Sequence, residues 1–394
     1  MYNTKRHIGF ICNEHPEIGN SGGIGSFTKG MSKALVEQGY LVTIFGVYNH
    51  LKDNIIIQDE GSKVIGIPYL KIPKIHWELN RWRLMRLITK ENRRNNLSIL
   101  EIPDYQGWLR KLDIDIPKII RFHSPQKVGL DPSIDLNSLP RSIQSEAKSL
   151  FYANYYCACG ESVAEAAKNT YVNNLSEKSS ISIIHNSVDT NYFQPITNKD
   201  KNDLNIVFAG RLAAKKGVIE LVKSWENIIH KFPQAKLILA GRDSEYGKSK
   251  SMIDFLYSRV PEKIKNTIIY KGFINSSKLL KLFQDSTLCI FPSHREAFSV
   301  VVLEAMATQT PVIYSKIGPG YEIIKDGYNG LLCNPHDPID IADKIIKLLI
   351  NQDLMNDIGK NARNTIIEKF SIGSIIKKNI EYYDSCINDF RLNL

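Results

Sequence analysis

The sequence predicts an α/β protein built from two doubly wound, Rossmann-like domains, and three observations carry that prediction. Short apolar runs alternate with amphipathic, helix-patterned stretches along nearly the whole chain, the pattern of parallel sheets covered by helices on both faces. The runs fall into two series separated by a polar stretch. The length of 394 residues is large for one hydrophobic core, and two domains of roughly 150–200 residues each are expected.

The first series opens with a strand at 7–12, a glycine-rich loop and a helix beginning near Gly25. Gly39 ends that helix, since glycine takes the left-handed C-terminal position without steric cost. A strand at 40–48 follows, with further apolar runs at 97–102, 117–122, 153–158 and 181–184. The second series starts with NIVFAG at Asn205 and continues through 236–241, 267–273, 287–293 and 310–315. Between the series, 191–204 is polar, charged and interrupted by Pro195, which suits a linker. The expected organisation is a first domain over 1–190, the linker 191–204, a second domain over 205–370, and a final helical stretch, 371–394, folding back on the first domain. Two such domains are expected to face each other across a cleft at the C-terminal ends of their strands, where α/β sheets bind ligands.

Composition narrows the class. Hydrophobic residues make up 43% and charged residues 23%, ordinary for a globular chain. No apolar run approaches the ~18–20 residues of a membrane-spanning helix. The N-terminal stretch reads as a strand rather than a secretory signal because Glu14 and His15 follow a short apolar run. A cytoplasmic location is therefore expected. The six cysteines form no CxxC pair, and buried thiols are the expectation for Cys12, Cys157 and Cys289. The net charge of +10 favours an anionic partner without choosing among phosphates, nucleic acid and an acidic membrane surface.

Four segments carry candidate chemistry. In FPSHREAFSVVVLEAM (291–306), a strand ends at Phe291, a loop carries Glu296, and a helix starts near Ser299 with Glu304 in its second turn. The N-terminal backbone N–H groups of that helix, around Phe298, Ser299 and Val300, are expected to form an anion site. Glu296 can accept hydrogen bonds from sugar hydroxyls and Glu304 can grip a ribose diol; a solvated helix residue is the alternative for Glu304. In FAGRLAAKKGVIELV (208–222), Arg211, Lys215 and Lys216 stand at a strand-to-helix turn before Gly217. Cations there fit a diphosphate, because charge-assisted hydrogen bonds contribute about 1.5–3 kcal/mol each. In NSGGIGSF (20–27), Gly22, Gly23 and Gly25 let backbone approach a ligand, although a tight turn would look the same. It is neither a P-loop nor a complete GxGxxG. In RFHSP (121–125), His123 closes a strand, in either a structural or a functional role.

Taken in order, these motifs resemble the retaining glycosyltransferases of family 4, glycosyl transferases group 1, with the GT-B fold. The matching text is GGIG (22–25), FHSP (122–125), HNSVDTNYF (185–193), GRLAAKKG (210–217), EAFSVVVLEAMATQTPVI (296–313) and EIIKDGYNGLL (322–332). The resemblance implies transfer of a sugar from a UDP- or GDP-linked donor to a saccharide or lipid-linked acceptor, without a metal or other cofactor and with retained anomeric configuration. Cell-surface polysaccharide or glycoconjugate synthesis is the implied setting. It also implies that Arg211 and Lys216 hold the donor diphosphate, Glu296 the sugar and Glu304 the ribose, that the GGIG backbone closes over the phosphates, and that His123 sits by the reacting carbon. Ser187, Ser299, Gln309 and Pro319 depart from the family pattern, at positions that bear on loop geometry rather than on charged ligands.

Two other segments bear on the acceptor. EIPDYQGW (101–108) follows a strand at the same edge, and Glu101, Asp104 and Trp108 are candidate acceptor contacts. The stretch 71–95 carries eight basic and two acidic residues. On a helix, Arg83, Arg86, Lys90 and Arg93 would form a basic stripe beside Leu84, Leu87 and Ile88, with Trp77 and Trp82 nearby. That arrangement suits an anionic membrane surface on the inner face of the cell membrane, or a helix packed on the first domain with a solvated basic face. Asp113–Ile114–Asp115 is a formal DxD, but it lies in a polar turn with no partner carboxylates. The rival readings are a nucleotide-sugar 2-epimerase of the same architecture, a dinucleotide-dependent oxidoreductase with an incomplete glycine fingerprint, and a non-catalytic basic binding protein. Nucleic acid is not an expected partner, because the cations stand at strand ends rather than on a basic face with interleaved aromatics.

Overall fold

The computed structural model describes residues 6–19, 22–110, 112–124, 138–171, 175, 180–196, 204–247 and 249–393. The chain divides into two compact units, one formed by residues up to Asn186 together with the segment from Ile372, the other by Ser187–Ser371.

The first unit contains β1 (His7–Ile11), α1 (Gly23–Glu37), β2 (Leu41–Tyr48), β3 (Ile55–Asp59), β4 (Ser62–Pro68), α2 (His76–Asn95), β5 (Ile99–Pro103), β6 (Lys118–Phe122), α3 (Arg141–Leu150), β7 (Tyr155–Ala158), α4 (Glu161–Thr170) and β8 (Ile181–Ile183). Its sheet runs β3-β4-β2-β1-β5-β6-β7-β8 and is parallel except where β3 returns against β4. The β3–β4 hairpin has no counterpart in the sequence reading: 55–59 alternates in exposure at the sheet edge, so it carries no continuous apolar run. Gly39 does end α1 with φ 85°, while the Tyr40 N–H reaches back to the Leu35 carbonyl.

The second unit contains β9 (Asn205–Ala209), α5 (Val218–Lys231), β10 (Lys236–Ala240), α6 (Met252–Tyr257), α7 (Glu262–Lys265), β11 (Ile268–Gly272), α8 (Ser276–Asp285), β12 (Leu288–Phe291), α9 (Val300–Ala307), β13 (Val312–Ser315), α10 (Gly320–Ile323), β14 (Leu331–Cys333), α11 (Pro338–Ile350) and α12 (Gln352–Thr365). Its sheet, β11-β10-β9-β12-β13-β14, is parallel throughout. That is the dinucleotide-fold order, whose direction of winding reverses between β9 and β12. Trp225 of α5 anchors the core, fully buried, with its Nε1 donating to Thr267 Oγ1 at 2.8 Å. Gln309 stands where α9 turns into β13 and adopts φ 61°, a left-handed conformation costing a side chain on the order of 1 kcal/mol more than glycine.

Residues 187–196 belong to the second unit, not to the first domain or to a linker. The Val188 N–H donates to the Phe370 carbonyl at 2.9 Å, and Arg363 Nη1 to that of Phe193 at 2.8 Å. Of the expected linker, 197–203 lie outside the described residues. After Ser371 the chain enters α13 (Ile372–Leu392) in the first unit. There Ile375, Ile376, Tyr383 and Ile387 share one core with Ile8, Phe10 and Leu35.

That helix is tied to the sheet by a buried polar network. Arg121 on β6 donates through Nε and Nη2 to both oxygens of Glu101 on β5, at 2.7 and 3.0 Å. From α13, Tyr383 Oη donates to Glu101 Oε2 at 2.7 Å, and Asn379 Oδ1 accepts from Arg121 Nη2 at 2.6 Å. A charge this deep is tolerated only when paired and hydrogen-bonded.

Candidate functional site

In an open parallel sheet, ligands bind beyond the carboxyl ends of the strands at the point where the winding reverses. In the second unit that point lies between β9 and β12, and the two richest motifs leave these two strands. After β9 the chain passes exposed Arg211 and makes a short turn at Ala214–Lys216, then enters α5 through Gly217. After β12 it passes Pro292 and Ser293, carries Glu296, and enters α9 at Val300.

Glycine is required at 217. Its φ is 71°, and a Cβ there would lie 1.8 Å from the Pro292 carbonyl oxygen. This close approach brings the two turns into contact. The His294 and Arg295 N–H groups donate to the Lys215 carbonyl at 3.0 and 3.3 Å. His294 Nε2 reaches Glu220 Oε2 on α5 at 3.0 Å. Lys216 Nζ pairs with Glu296 Oε2, both side chains only partly exposed.

Behind this pair, Ser299 caps α9 and Phe298 is buried. Glu304, partly covered on α9, has its carboxyl pushed up to about 8 by desolvation. The segment therefore offers an exposed guanidinium at Arg211, a cation–carboxylate pair, the N-terminal amides of α9 and a carboxyl that holds its proton. Such a set can bind a diphosphate and hydrogen-bond hydroxyl groups.

In the first unit the winding reverses between β1 and β5, and a cavity of 410 Å³ opens there. Its walls include Glu14 after β1, His50 after β2, Tyr69 after β4, Trp77 on α2, and Gln106 and Trp108 after β5. Gly22, the residue before α1, keeps room for Glu14, since a Cβ there would lie 2.6 Å from its Oε2. The Gly25 N–H donates to Glu14 Oε1 at 3.0 Å. His123 follows β6 and packs edge-on against Phe27 at 5.2 Å. Desolvation, with the Arg121 cation nearby, lowers its pKa to about 3, so the imidazole is neutral.

The sequence-predicted residues separate accordingly. Arg211, Lys216, Glu296, Phe298, Ser299, Val300 and Glu304 lie on the two turns and the helix of one switch point. Gly22, Gly23, His123, Asp104 and Trp108 lie in the first unit, with Trp108 in the cavity wall. Glu101 is not an acceptor contact: it is buried and its carboxylate is engaged by Arg121 and Tyr383. Asp104 is also buried; it accepts from the His123 and Ser124 N–H groups at 3.2 Å each, and desolvation raises its pKa. It orders the loop carrying His123. Asp113 and Asp115 are exposed beside Lys118. Asn20, Ser21 and Pro125 of the motifs lie outside the described residues.

The stretch 71–95 needs correction as well. Leu84 and Ile88 of α2 are fully buried, and Trp77 packs on Trp108 at 5.8 Å. Arg83 leaves the basic stripe by donating to the Pro68 carbonyl at 2.6 Å. The exposed residues include Ile72, Ile75 and Trp82 with Lys71, Lys74, Arg86, Lys90, Arg93 and Arg94, and the acidic Glu78. The cavity residues Asn13, Glu14, His50, Tyr69 and Gln106 were not read from the sequence. Their common signal is position directly after strand ends, which needs the strand order to be recognised.

Residues 189–365 match the family model Glycosyl transferases group 1. A protein of Methanocaldococcus jannaschii described as an uncharacterized glycosyltransferase is 24% identical over 385 residues, covering 92% of this chain and 94% of its own. Sucrose-phosphate synthase from Thermosynechococcus elongatus superposes with a TM-score of 0.80 at 20% identity, covering 98% of this chain and 100% of its own. HepE of Anabaena, solved in complex with UDP, superposes with a TM-score of 0.73 at 18% identity, covering 96% and 100%. The fold is GT-B, and the family match with its relatives supports a glycosyltransferase.

The raised Glu304 carboxyl has a measurable consequence. The folded chain keeps this proton up to about 8, whereas the unfolded chain loses it in the ordinary carboxylate range. The group's contribution to stability is therefore complete at acid pH and declines as pH rises through that interval. In Glu304→Gln, the thermal midpoint of the unliganded protein should fall less between those limits than in wild type. Identical pH profiles would show that Glu304 ionises normally.

Proposed function

We propose that this chain transfers a sugar from a nucleotide-diphosphate donor, uridine- or guanosine-linked, to a saccharide or lipid-linked acceptor, with retention of anomeric configuration, in cell-surface polysaccharide or glycoconjugate synthesis. The observation that carries the reading is the convergence of Arg211, Lys216, Glu296 and Glu304 on one switch point, inside the segment that matches the glycosyltransferase model. The UDP complex of HepE favours a uridine donor among the two.

In this reading Arg211 and Lys216 hold the diphosphate by charge-assisted hydrogen bonds, with no metal ion required, and the amides around Phe298, Ser299 and Val300 add a dipolar contact. Glu304 would hydrogen-bond the ribose; as an acid it can both donate and accept. Glu296, already paired to Lys216, would orient the sugar hydroxyls.

When the bond from the anomeric carbon to the phosphate oxygen breaks, negative charge grows on the departing diphosphate. The two cations stabilise that charge more than they stabilise the bound donor, which is what lowers the barrier. The acceptor oxygen bonds to the same face of the carbon and its proton passes to the departing phosphate. His123, held neutral by burial, would contribute by hydrogen bonding rather than by charge.

The exposed surface of α2 and the residues before it extends the proposal. Ile72, Ile75 and Trp82 stand among six cations, and Arg86 lies 4.6 Å over the Trp82 ring. Apolar tips ringed by positive charge suit peripheral docking on an anionic bilayer beside a lipid-linked acceptor. Anionic liposomes should retain the protein at low salt and lose it in Arg86→Glu/Lys90→Glu; failure of wild type to bind would remove this part of the reading.

Calorimetry with UDP, GDP and ADP in the presence of EDTA tests the donor site. One nucleotide should bind, and Arg211→Ala and Lys216→Ala should each weaken it by about tenfold or more, from a loss of about 1.5–3 kcal/mol. Wild-type affinity in both variants would sink the diphosphate assignment.

A further inference from the structure

The cavity of the first unit has a chemical character of its own. All its described lining residues belong to that unit, and they include five aromatic side chains, Tyr48, Tyr69, Trp77, Tyr105 and Trp108. Trp77 is held in place from two sides, by Trp108 at 5.8 Å and edge-on by Tyr69 at 6.2 Å. It remains half-buried, so part of its ring is available to a ligand. Trp108 is almost wholly buried and serves as its support.

The polar groups are arranged as single donors and acceptors. Asn13 Oδ1 accepts from the Val47 N–H at 2.8 Å, leaving the amide nitrogen to donate into the cavity. Gln106 Oε1 accepts from Trp108 Nε1 at 3.0 Å, which likewise leaves its amide nitrogen. Gln106 holds this position at φ 69°, a backbone conformation that glutamine adopts only when its surroundings impose it. Glu14 supplies the acceptor, fixed by the Gly25 N–H and by the space that Gly22 leaves.

No lysine or arginine is among the described lining residues, and Glu14 is the one acidic side chain among them. A phosphate or carboxylate entering such a site would lose its hydration without gaining a cation from these described residues and would approach a carboxylate. A pyranose ring presents the opposite demands: an apolar face for an aromatic ring, and hydroxyls that both donate and accept.

We propose that this cavity takes an uncharged sugar residue of the acceptor, stacked on Trp77, and discriminates against phosphorylated and carboxylated sugars through Glu14. The proposal rests on the glycosyltransferase reading above and specifies the chemical class of its second substrate. The positive charge of the whole chain makes the prediction pointed, since its global field favours anions while this pocket does not.

Saturation-transfer NMR on the full chain tests it, with methyl glycosides of glucose, galactose, mannose and N-acetylglucosamine set against the 6-phosphates of the same four sugars. At least one neutral glycoside should receive saturation, and its 6-phosphate partner should bind at least about tenfold more weakly. Trp77→Ala should abolish the signal and Trp77→Phe should restore part of it. Glu14→Gln should narrow the gap between neutral and phosphorylated ligands. Equal or stronger binding of a 6-phosphate, or neutral binding indifferent to Trp77→Ala, overturns the proposal. Nucleotide calorimetry on the same samples reads the second unit, and a cooperative thermal unfolding transition like that of wild type confirms that each variant is folded. If a nucleotide binds while no glycoside does, the cavity assignment falls and the donor reading stands; if neither binds, both fall.

Discussion

The candidate donor site depends on one close approach, that of Gly217 to the carbonyl of Pro292. Nothing larger than hydrogen fits between them, and only at that separation can the amides after Pro292 reach the Lys215 carbonyl. The turn after β9 carries the cations and the turn after β12 carries the carboxylate. Clamping the turns together converts two unrelated strand-end loops into one array, with Lys216 and Glu296 paired in its centre. A larger residue at 217 would push the turns apart and separate charges that act together. The neighbouring helix start at Ser299 then contributes its unpaired amides to the same place.

The first unit solves a different problem, holding a C-terminal helix on a sheet with a buried charge at the junction. Arg121 and Glu101 satisfy each other, and α13 completes the network through Tyr383 and Asn379. Removing Arg121 or Glu101 would leave the other's charge buried without its ion-pair partner, a loss typically larger than the net worth of the pair. Of these two strands β5 ends in the cavity wall, so one strand carries the carboxylate of the buried pair and ends at a binding edge with no lysine or arginine among its described lining residues.

The sequence was most legible where local chemistry and strand ends coincide. The spacing of Arg211, Lys216, Glu296 and Glu304 along two strand–turn–helix units was enough to place them together, because the parallel order brings the ends of β9 and β12 side by side. Glu101 was misjudged for a physical reason: a carboxylate near a strand end reads alike whether it meets solvent or a buried arginine 20 residues away. The partners that decide it, Tyr383 and Asn379, lie at the far end of the chain. Trp77 was grouped with Trp82 because both stand in a basic stretch, yet five residues along a helix place them on different faces, one against Trp108 and one in solvent. The cavity itself was invisible, since its residues come from six segments that only the strand order assembles.

The most direct test of the account is nucleotide release from UDP- and GDP-sugars, measured with and without neutral saccharide acceptors and followed by analysis of the products. The account predicts acceptor-dependent release of the nucleoside diphosphate, a new glycoside with the donor's anomeric configuration, and loss of both in Lys216→Ala. Conversion of the donor into a different sugar nucleotide with no acceptor consumed would contradict it and assign the same site to a 2-epimerase.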